Sequence, residues 1–512
     1  MLQSEITDGS QLYSSFQDSL PPAPNTAQVD FPYTGDYRKD CLLAGLNIRW
    51  NSSSPLGTPV SVTYSFAQAA PSYADTGDKA GFQPFTAEQK TAVHTILAKL
   101  SQQIGVDFIE VADSRSSYGV IRFSNNLQPD SSGYTYLPNT AGESSGDVYI
   151  SKDNNKGLTP GTYNYATLVH EIGHALGLNH PGNYNAGDPF GTTVEGNFLG
   201  VQDDKTILTI MSYRESAQGL QDEWFAPYDL LTLRYLYGTR LYNATDTNYV
   251  MTDANGKKLN CIVDDGGIDT INLSALSGGA TLDLRPGGVS SLGKTGKGEA
   301  ARENLAIATD AIIENVVGSN DDDTITLNSA NNWLDGGKGF DTAVFTGSYF
   351  THSIAKSSAG YVVSSETDGT DTLMNVERFL FSDRNLAFDF DGNAGKVARI
   401  LGAVYGKEWL NNATYAGYGI KLLDGGMSYQ ELMQRALKNK LGDGYSNSAE
   451  INLLYQNITG ALPSSFDLNY WDKALDAGQF SQTSLAVAAA DLDLNATHLN
   501  LVGLADTGLM YV

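Results

Sequence analysis

The stretch HEIGHALGLNH (170–180) holds three of the chain's six histidines. His170 and His174 are four apart, so on a helix both imidazoles leave the same face, one turn above the other. Two ligands on one face leave a metal ion underfilled. Gly177 is where such a helix can stop, because glycine takes a left-handed conformation at little cost. The reversed chain can then bring His180 to the same point. Three neutral imidazoles keep zinc strongly Lewis acidic and leave a coordination position for water, whose pKa zinc lowers to about 7. Glu171 projects beside that point, where it can take the water's proton and pass it to a leaving amine. A purely structural zinc site would close with a fourth protein ligand and would need no glutamate. Ligand type alone also admits other first-row ions.

The spacing H-E-x-x-H-x-x-G-x-x-H resembles the metzincin signature. Downstream, ILTIMSYRES (207–216) supplies Met211 and Tyr213. The resemblance makes Met211 a thioether floor beneath the histidines. It makes Tyr213 a side chain that either ligates zinc or swings away to hydrogen-bond an oxyanion. Across a larger part of the chain the resemblance narrows to the serralysins, secreted bacterial zinc metalloproteases. It is carried by DCLLAGLNIRWN (40–51), GTYNYATLVHEIGHALGLNHPGNYN (161–185), IMSYRES (210–216) and APYDLLTLRYLYG (226–238), and runs on to about residue 345.

The elements that must position these residues are partly readable. VSVTYSF (60–66) alternates like a strand, and VDFIEV (106–111), YGVIRFS (118–124) and GDVYIS (146–151) are short and β-rich. A helix is predicted from Thr86, where Thr86 and Gln89 form a capping box and Val93, Ile96, Leu97, Leu100 and Ile104 recur at helical spacing. The histidines fall on a second long helix. GDVYIS is expected to be the edge strand against which an extended substrate pairs.

Beyond about residue 245 the composition changes. Residues 318–326, 327–335 and 336–344 align as three nonapeptides, with Asp323, Asn332 and Asp341 at the sixth position and Ile325, Leu334 and Ala343 at the eighth. DDGGIDTIN (264–272) is a related unit. These resemble the GGxGxDxUx calcium repeats of repeats-in-toxin proteins, degraded where Asp321 replaces a glycine and where 327–335 lacks its glycine pair. The family's calcium positions then fall on Asp264, Gly266, Gly267 and Asp269, and on Glu314, Gly318, Asp323, Gly336, Gly337, Gly339 and Asp341. Asn243 stands where the family usually has an arginine. Residues 391–512 read as helical, as in KVARILGAVYG (396–406), SYQELMQRALKNKL (428–441) and SNSAEINLLYQNITG (446–460), and resemble a helical domain that often follows such repeats.

The expected plan is therefore a leader or propeptide (1–37) and an α+β metzincin-type catalytic domain (38–245). A calcium-binding parallel β-roll with a β-rich closing segment (246–390) follows, then an α-helical domain with a C-terminal secretion signal (391–512). The net charge of −26 argues against nucleic acid and anionic lipid as ligands. No apolar run approaches the roughly 18 residues of a membrane span, and the N-terminal stretch lacks the basic and apolar regions of a signal peptide. The resemblance implies export by a type I secretion machinery, a monomer, and protein or peptide substrates. Cys41 and Cys261 are expected as free thiols. A rival reading, a calcium-binding adhesin-like surface protein with a vestigial protease domain, is opposed by the intact Glu171, Tyr213 and three histidines.

Overall fold

The computed structural model describes residues 34–182 and 198–512. Most of the expected leader, and residues 183–197 after the third histidine, lie outside the described residues. The chain divides into two compact units, residues 1–321 and 322–512.

In the first unit a short helix, α1 (Tyr37–Asp40), leads into strand β1 (Val60–Phe66). Helices α2 (Thr76–Lys79) and α3 (Ala87–Leu100) follow, then β2 (Val106–Glu110), β3 (Ile121–Asn126), β4 (Gly133–Thr135) and β5 (Val148–Ser151). The histidine helix α4 (Tyr163–Ala175) and α5 (Pro227–Tyr237) follow. The sheet order is β2-β1-β3-β5-β4. The first four strands run parallel, and β4 alone runs antiparallel to β5. Every residue of β3 and β5 is buried, as befits central strands covered on both faces.

The capping box at α3 is present: Gln89 N donates to Thr86 Oγ1 (3.2 Å) and Thr86 N to Gln89 Oε1 (2.9 Å). Val93, Ile96, Leu97 and Leu100 are buried on its inner face, each stabilising the fold by roughly 1.5–3 kcal/mol. Ile104 is buried too, but beyond the helix end, where it bridges to Thr239. One expectation is corrected. GDVYIS is not an edge strand, because β5 lies between β3 and β4, and the edge is Gly133–Thr135. Three residues opening on glycine give no alternation to detect.

C-terminal to α5, parallel strands stack in the same unit: Asn248–Thr252 beside Thr270–Ala275 beside Asn315–Val317, and Asn260–Ile262 beside Leu305–Ile307. In the second unit the nonapeptide rhythm appears as strands Thr324–Thr326, Trp333–Asp335 and Thr342–Val344. Ile325, Leu334 and Ala343 point inward and are buried. Helices follow from Asn393 to Thr507 and pack around Val397, Val404, Ile420, Met433, Leu437 and Leu454. The C-terminal residues Leu509–Tyr511 form a strand beside Asn385–Ala387. Among the described residues no helix is long and apolar enough to cross a membrane, and both cysteines are free, Cys41 buried and Cys261 half-buried.

Glu450 stands out in the helical part. It is fully buried, and neither carboxylate oxygen has a hydrogen-bond partner. Burial pushes its pKa up to about 8. A carboxyl raised this way favours folding below its unfolded pKa, and that advantage is lost as pH rises through 8. Glu450→Leu is therefore expected to raise stability by about 1–3 kcal/mol, with a larger gain at pH 9 than at pH 5. Thermal melts at the two pH values check this, and an equal or reversed gain refutes it.

Candidate active site

Helix α4 ends in a turn that the sequence dictates. Gly177 N donates to His174 O (2.9 Å) and Leu178 N to Gly173 O (3.0 Å), a Schellman closure with Gly177 left-handed at φ +97°. A Cβ at 177 would also run into the Ile48 carbonyl oxygen. Two further carbonyls at the helix end are satisfied by distant side chains: Trp50 Nε1 donates to Ala175 O (2.8 Å) and Tyr237 Oη to Leu176 O (2.9 Å). The reversed chain is fixed by Asn179 N donating to Leu42 O (2.8 Å).

This turn carries His180 to the two helical histidines. The Nε2 atoms of His174 and His180 lie 3.0 Å apart, and those of His170 and His180 3.3 Å apart. Ligand atoms of all three fall within 4.8 Å, the one such group of three among the described residues. With zinc–nitrogen bonds of about 2.0–2.1 Å, tetrahedral imidazoles would place their nitrogens roughly 3.4 Å apart, and the two separations to His180 are close to that value. The other ring nitrogens are engaged: His170 Nδ1 donates to Ile210 O (2.8 Å) and His174 Nδ1 to Leu178 O (2.7 Å). Those bonds leave the Nε2 lone pairs facing the common point. Burial lowers the pKa of His170 to about 4 and of His174 to about 3, and drives His180 down as well. All three are neutral at pH 7, the form a metal needs.

Around this centre lie the other expected residues. Glu171 is buried, and its Oε2 accepts a hydrogen bond from Thr135 Oγ1 (2.7 Å). Burial pushes its pKa up to about 8, with the Thr135 bond acting against the rise. The Tyr213 ring sits 4.5 Å from the His180 ring and 6.0 Å from that of His170. Burial first, then the nearby Glu171 charge, raise its phenol pKa. Met211 is fully buried, and a Cβ at Gly173 would approach its Sδ to 2.8 Å, so the glycine in HEIGH makes room for the thioether.

Sequence reasoning missed the group that aims this loop. Asp229, fully buried at the start of α5, accepts from Thr209 Oγ1 (2.6 Å), Ile210 N (2.8 Å) and Ala226 N (2.9 Å). Ile210 is the residue whose carbonyl orients His170. Asp204 holds the other side, accepting from Ser212 Oγ (2.6 Å) and Arg214 Nε (3.1 Å). The signal was present in APYD, a proline followed by an acid in the first helical turn.

The acidic turns follow one pattern. In the first unit Thr247 N donates to Asp269 Oδ1 (2.7 Å) and Asp269 N to Glu314 Oε2 (2.8 Å). Asp264 is tied to Tyr249 Oη (2.6 Å) and Gly266 N (2.9 Å), and Asn243 Nδ2 donates to that same tyrosine oxygen (2.9 Å). In the second unit Asp323 N donates to Asp341 Oδ1 (2.8 Å) and Asp341 N to Glu377 Oε2 (2.7 Å). Gly266, Gly267, Gly337 and Gly339 have positive φ, and Gly336 packs against the Asp341 carboxylate. Gly318 follows directly on strand Asn315–Val317 and does not share the positive φ of those four. The second oxygens of Asp269 and Asp341 are buried without a hydrogen-bond partner, which suits a cation-binding turn. Burial, with neighbouring carboxylates adding to it, raises Asp269 to about 6 and Asp341 to about 8. Glu377 was not foreseen because it lies beyond the last recognisable repeat. At the Asn332 rung the pattern is closed by amides: Asn332 Nδ2 donates to Asn328 Oδ1 (2.9 Å), and Asn332 N to Asp371 Oδ1 (2.9 Å).

Residues 135–261 match the model of the metallo-peptidase family M12B, reprolysin-like, and residues 231–401 that of the peptidase M10 serralysin C terminal. The chain is 30% identical over 364 residues to the serralysin of Proteus mirabilis, covering 65% of this chain and 70% of that protein. It belongs to the serralysin family of metalloendopeptidases. Serralysin A and serralysin C of Dickeya chrysanthemi are 32% and 31% identical over 305 residues, 54% of this chain and 61% of theirs. Against those two, the chain spans about three fifths of the relative's length. As in the serralysin family, zinc is the metal implied for the three histidines.

Gly177→Ala is expected to weaken zinc binding about 10- to 100-fold and to lower stability by more than about 1 kcal/mol. Competition with a chromogenic chelator and thermal melts in EDTA measure the two effects. Unchanged zinc affinity would refute the role given to this turn.

Proposed function

We propose that the chain is a secreted zinc-dependent endopeptidase that hydrolyses peptide bonds in protein substrates, with Glu171 as general base and Tyr213 as oxyanion stabiliser. The observation that carries this reading is the convergence of three neutral Nε2 atoms beside a buried carboxylate and a tyrosine ring. Zinc, when held by His170, His174 and His180, supplies a Lewis acid and lowers the pKa of a water toward 7. Glu171 takes a proton from the attacking water and delivers it to the amine as the carbon–nitrogen bond breaks. Tyr213 donates its hydroxyl to the oxygen that gains charge. The substrate backbone pairs with the exposed side of β4, the free edge of the catalytic sheet.

Calcium belongs to the same proposal. The buried, unpartnered oxygens of Asp269 and Asp341 favour ions at the first turn (Asp264, Gly266, Gly267, Asp269, Glu314) and at the second unit's turn (Asp323, Gly336, Gly337, Gly339, Asp341), and Gly318 stays a proposed calcium position of the first unit. Glu377 joins the later turn through its bond to Asp341. The amide-closed Asn332 rung carries no such orphaned oxygen, which favours an ion-free turn. The division into a catalytic region (38–245), a calcium roll (246–390) and a helical domain (391–512) follows the changes in element type. Type I export, extracellular action and a monomeric state complete the reading.

Casein hydrolysis tests the catalytic claim. The parent chain with zinc and calcium is expected to cleave, and Glu171→Ala to lose at least about 10³-fold in rate while keeping its zinc. A parent chain that binds zinc but cleaves no protein would overturn it. The calcium claim has a signature in pH. Without calcium, Asp269 and Asp341 have raised folded pKa values, so stability is greatest below about pH 4 for these groups and falls as pH rises to 8. Bound calcium holds both carboxylates charged, which reverses the sign. Melting temperature in EDTA is expected to drop between pH 5 and 8 relative to the calcium-saturated protein, and parallel curves would exclude calcium at these turns.

A further inference from the structure

We infer that Thr135 is a positioning residue for the reaction, holding the Glu171 carboxylate at the edge of the cleft through its hydroxyl. The inference rests on the proposed role of Glu171 as base. Thr135 Oγ1 is the one protein donor to that carboxylate among the described residues, at 2.7 Å from Oε2, and it also reaches the Glu171 main-chain oxygen at 3.2 Å. A glutamate on a helix has three side-chain torsions, and this one would otherwise be fixed only by packing.

The strand that carries the threonine is built for this task on both faces. Alternation sends Gly133 and Thr135 toward α4 and Tyr134 to the opposite face. On the α4 side Gly133 leaves room for the base, since a Cβ there would lie 2.8 Å from Glu171 Oε1. On the far side Tyr134 stacks on Tyr149 with ring centroids 5.0 Å apart. Its hydroxyl donates to the buried Asp78 (2.6 Å) and accepts from Asn126 Nδ2 (2.6 Å). The register Thr135↔Val148 is thereby locked from behind. The Glu171 carboxylate thus meets space on one side and a donor on the other, both from one three-residue strand.

Thr135→Val keeps the branched shape and removes the donor, while Thr135→Ser keeps the donor and removes the methyl group. Both are assayed beside Glu171→Ala on a quenched-fluorophore peptide that the parent chain cleaves, with zinc content measured for each. The expected result is a fall in kcat of about 10- to 100-fold for Thr135→Val, as for loss of a hydrogen bond to a charged group. KM should stay within about twofold and zinc stay bound, and Thr135→Ser should recover most of the rate. A rise in KM with kcat unchanged would make Thr135 a substrate contact and overturn the inference. So would equal losses in the valine and serine variants, which would mean shape matters and not the hydroxyl. If Thr135→Val does not fold, Thr135→Ala takes its place, and failure of both to fold makes the role structural and likewise overturns it. An active Glu171→Ala would instead refute the base itself. A silent Glu171→Ala beside a fully active Thr135→Val would refute only the positioning.

Discussion

Three ring nitrogens whose lone pairs face one point repel one another, and that constraint organises the first unit. The imidazoles must be neutral, so they are buried. They must also present the correct nitrogen, so His170 and His174 spend their Nδ1 protons on main-chain carbonyls. One of those carbonyls belongs to the turn at Gly177 and the other to the loop that carries Met211 and Tyr213. The turn and the loop are each held by atoms far away in sequence, from Leu42 and Trp50 to Asp229.

Helix α5 joins the segment beneath the histidines to the first acidic turn. At its start Asp229 gathers two donors from the segment beneath the histidines, Thr209 Oγ1 and Ile210 N, and a third from the helix's own Ala226 N. Five residues on, Arg234 grips Asp265 through two nitrogens at 2.8 Å each, and Asp310 at 2.6 Å. Asp265 lies inside the first acidic turn, between Asp264 and the glycine pair. A rigid helix of eleven residues thus links the geometry of that turn to the loop that orients His170. The second carboxylate of the DDGG stretch has this mechanical role, facing the catalytic region and not a ligand.

Much of the site could be read from the sequence because its chemistry is local. Two histidines one helical turn apart, a glycine and a third histidine fit within eleven residues, and local backbone geometry brings them to one side before any distant contact fixes them. The strands of the nonapeptides were legible for the same reason, since each aliphatic eighth residue repeats with the turn that precedes it. What escaped were contacts between distant segments. Thr135 lies on a strand too short to show a period, and its value depends on a helix that starts 28 residues later, at Tyr163. Glu377 completes a carboxylate ladder from outside the repeat that defines it. The substrate-facing edge was assigned to β5 because β5 has the stronger β pattern, and strand order is a property of pairing that composition does not encode.

The two borders of the catalytic sheet are finished differently, and this bears on how the molecule avoids sticking to itself. The β2 border carries Asp107, paired with Arg240 (2.9 Å), and Glu110, paired with His94 (2.8 Å). Charges of this kind discourage a second sheet from docking. The β4 border has no such guard, but it is three residues long. An extended peptide bound in the proposed way would need only a few main-chain bonds there to be aligned. Another folded copy would need a longer template to form a lasting β-sheet junction, so brevity protects this border against aggregation where charge would have repelled its guest.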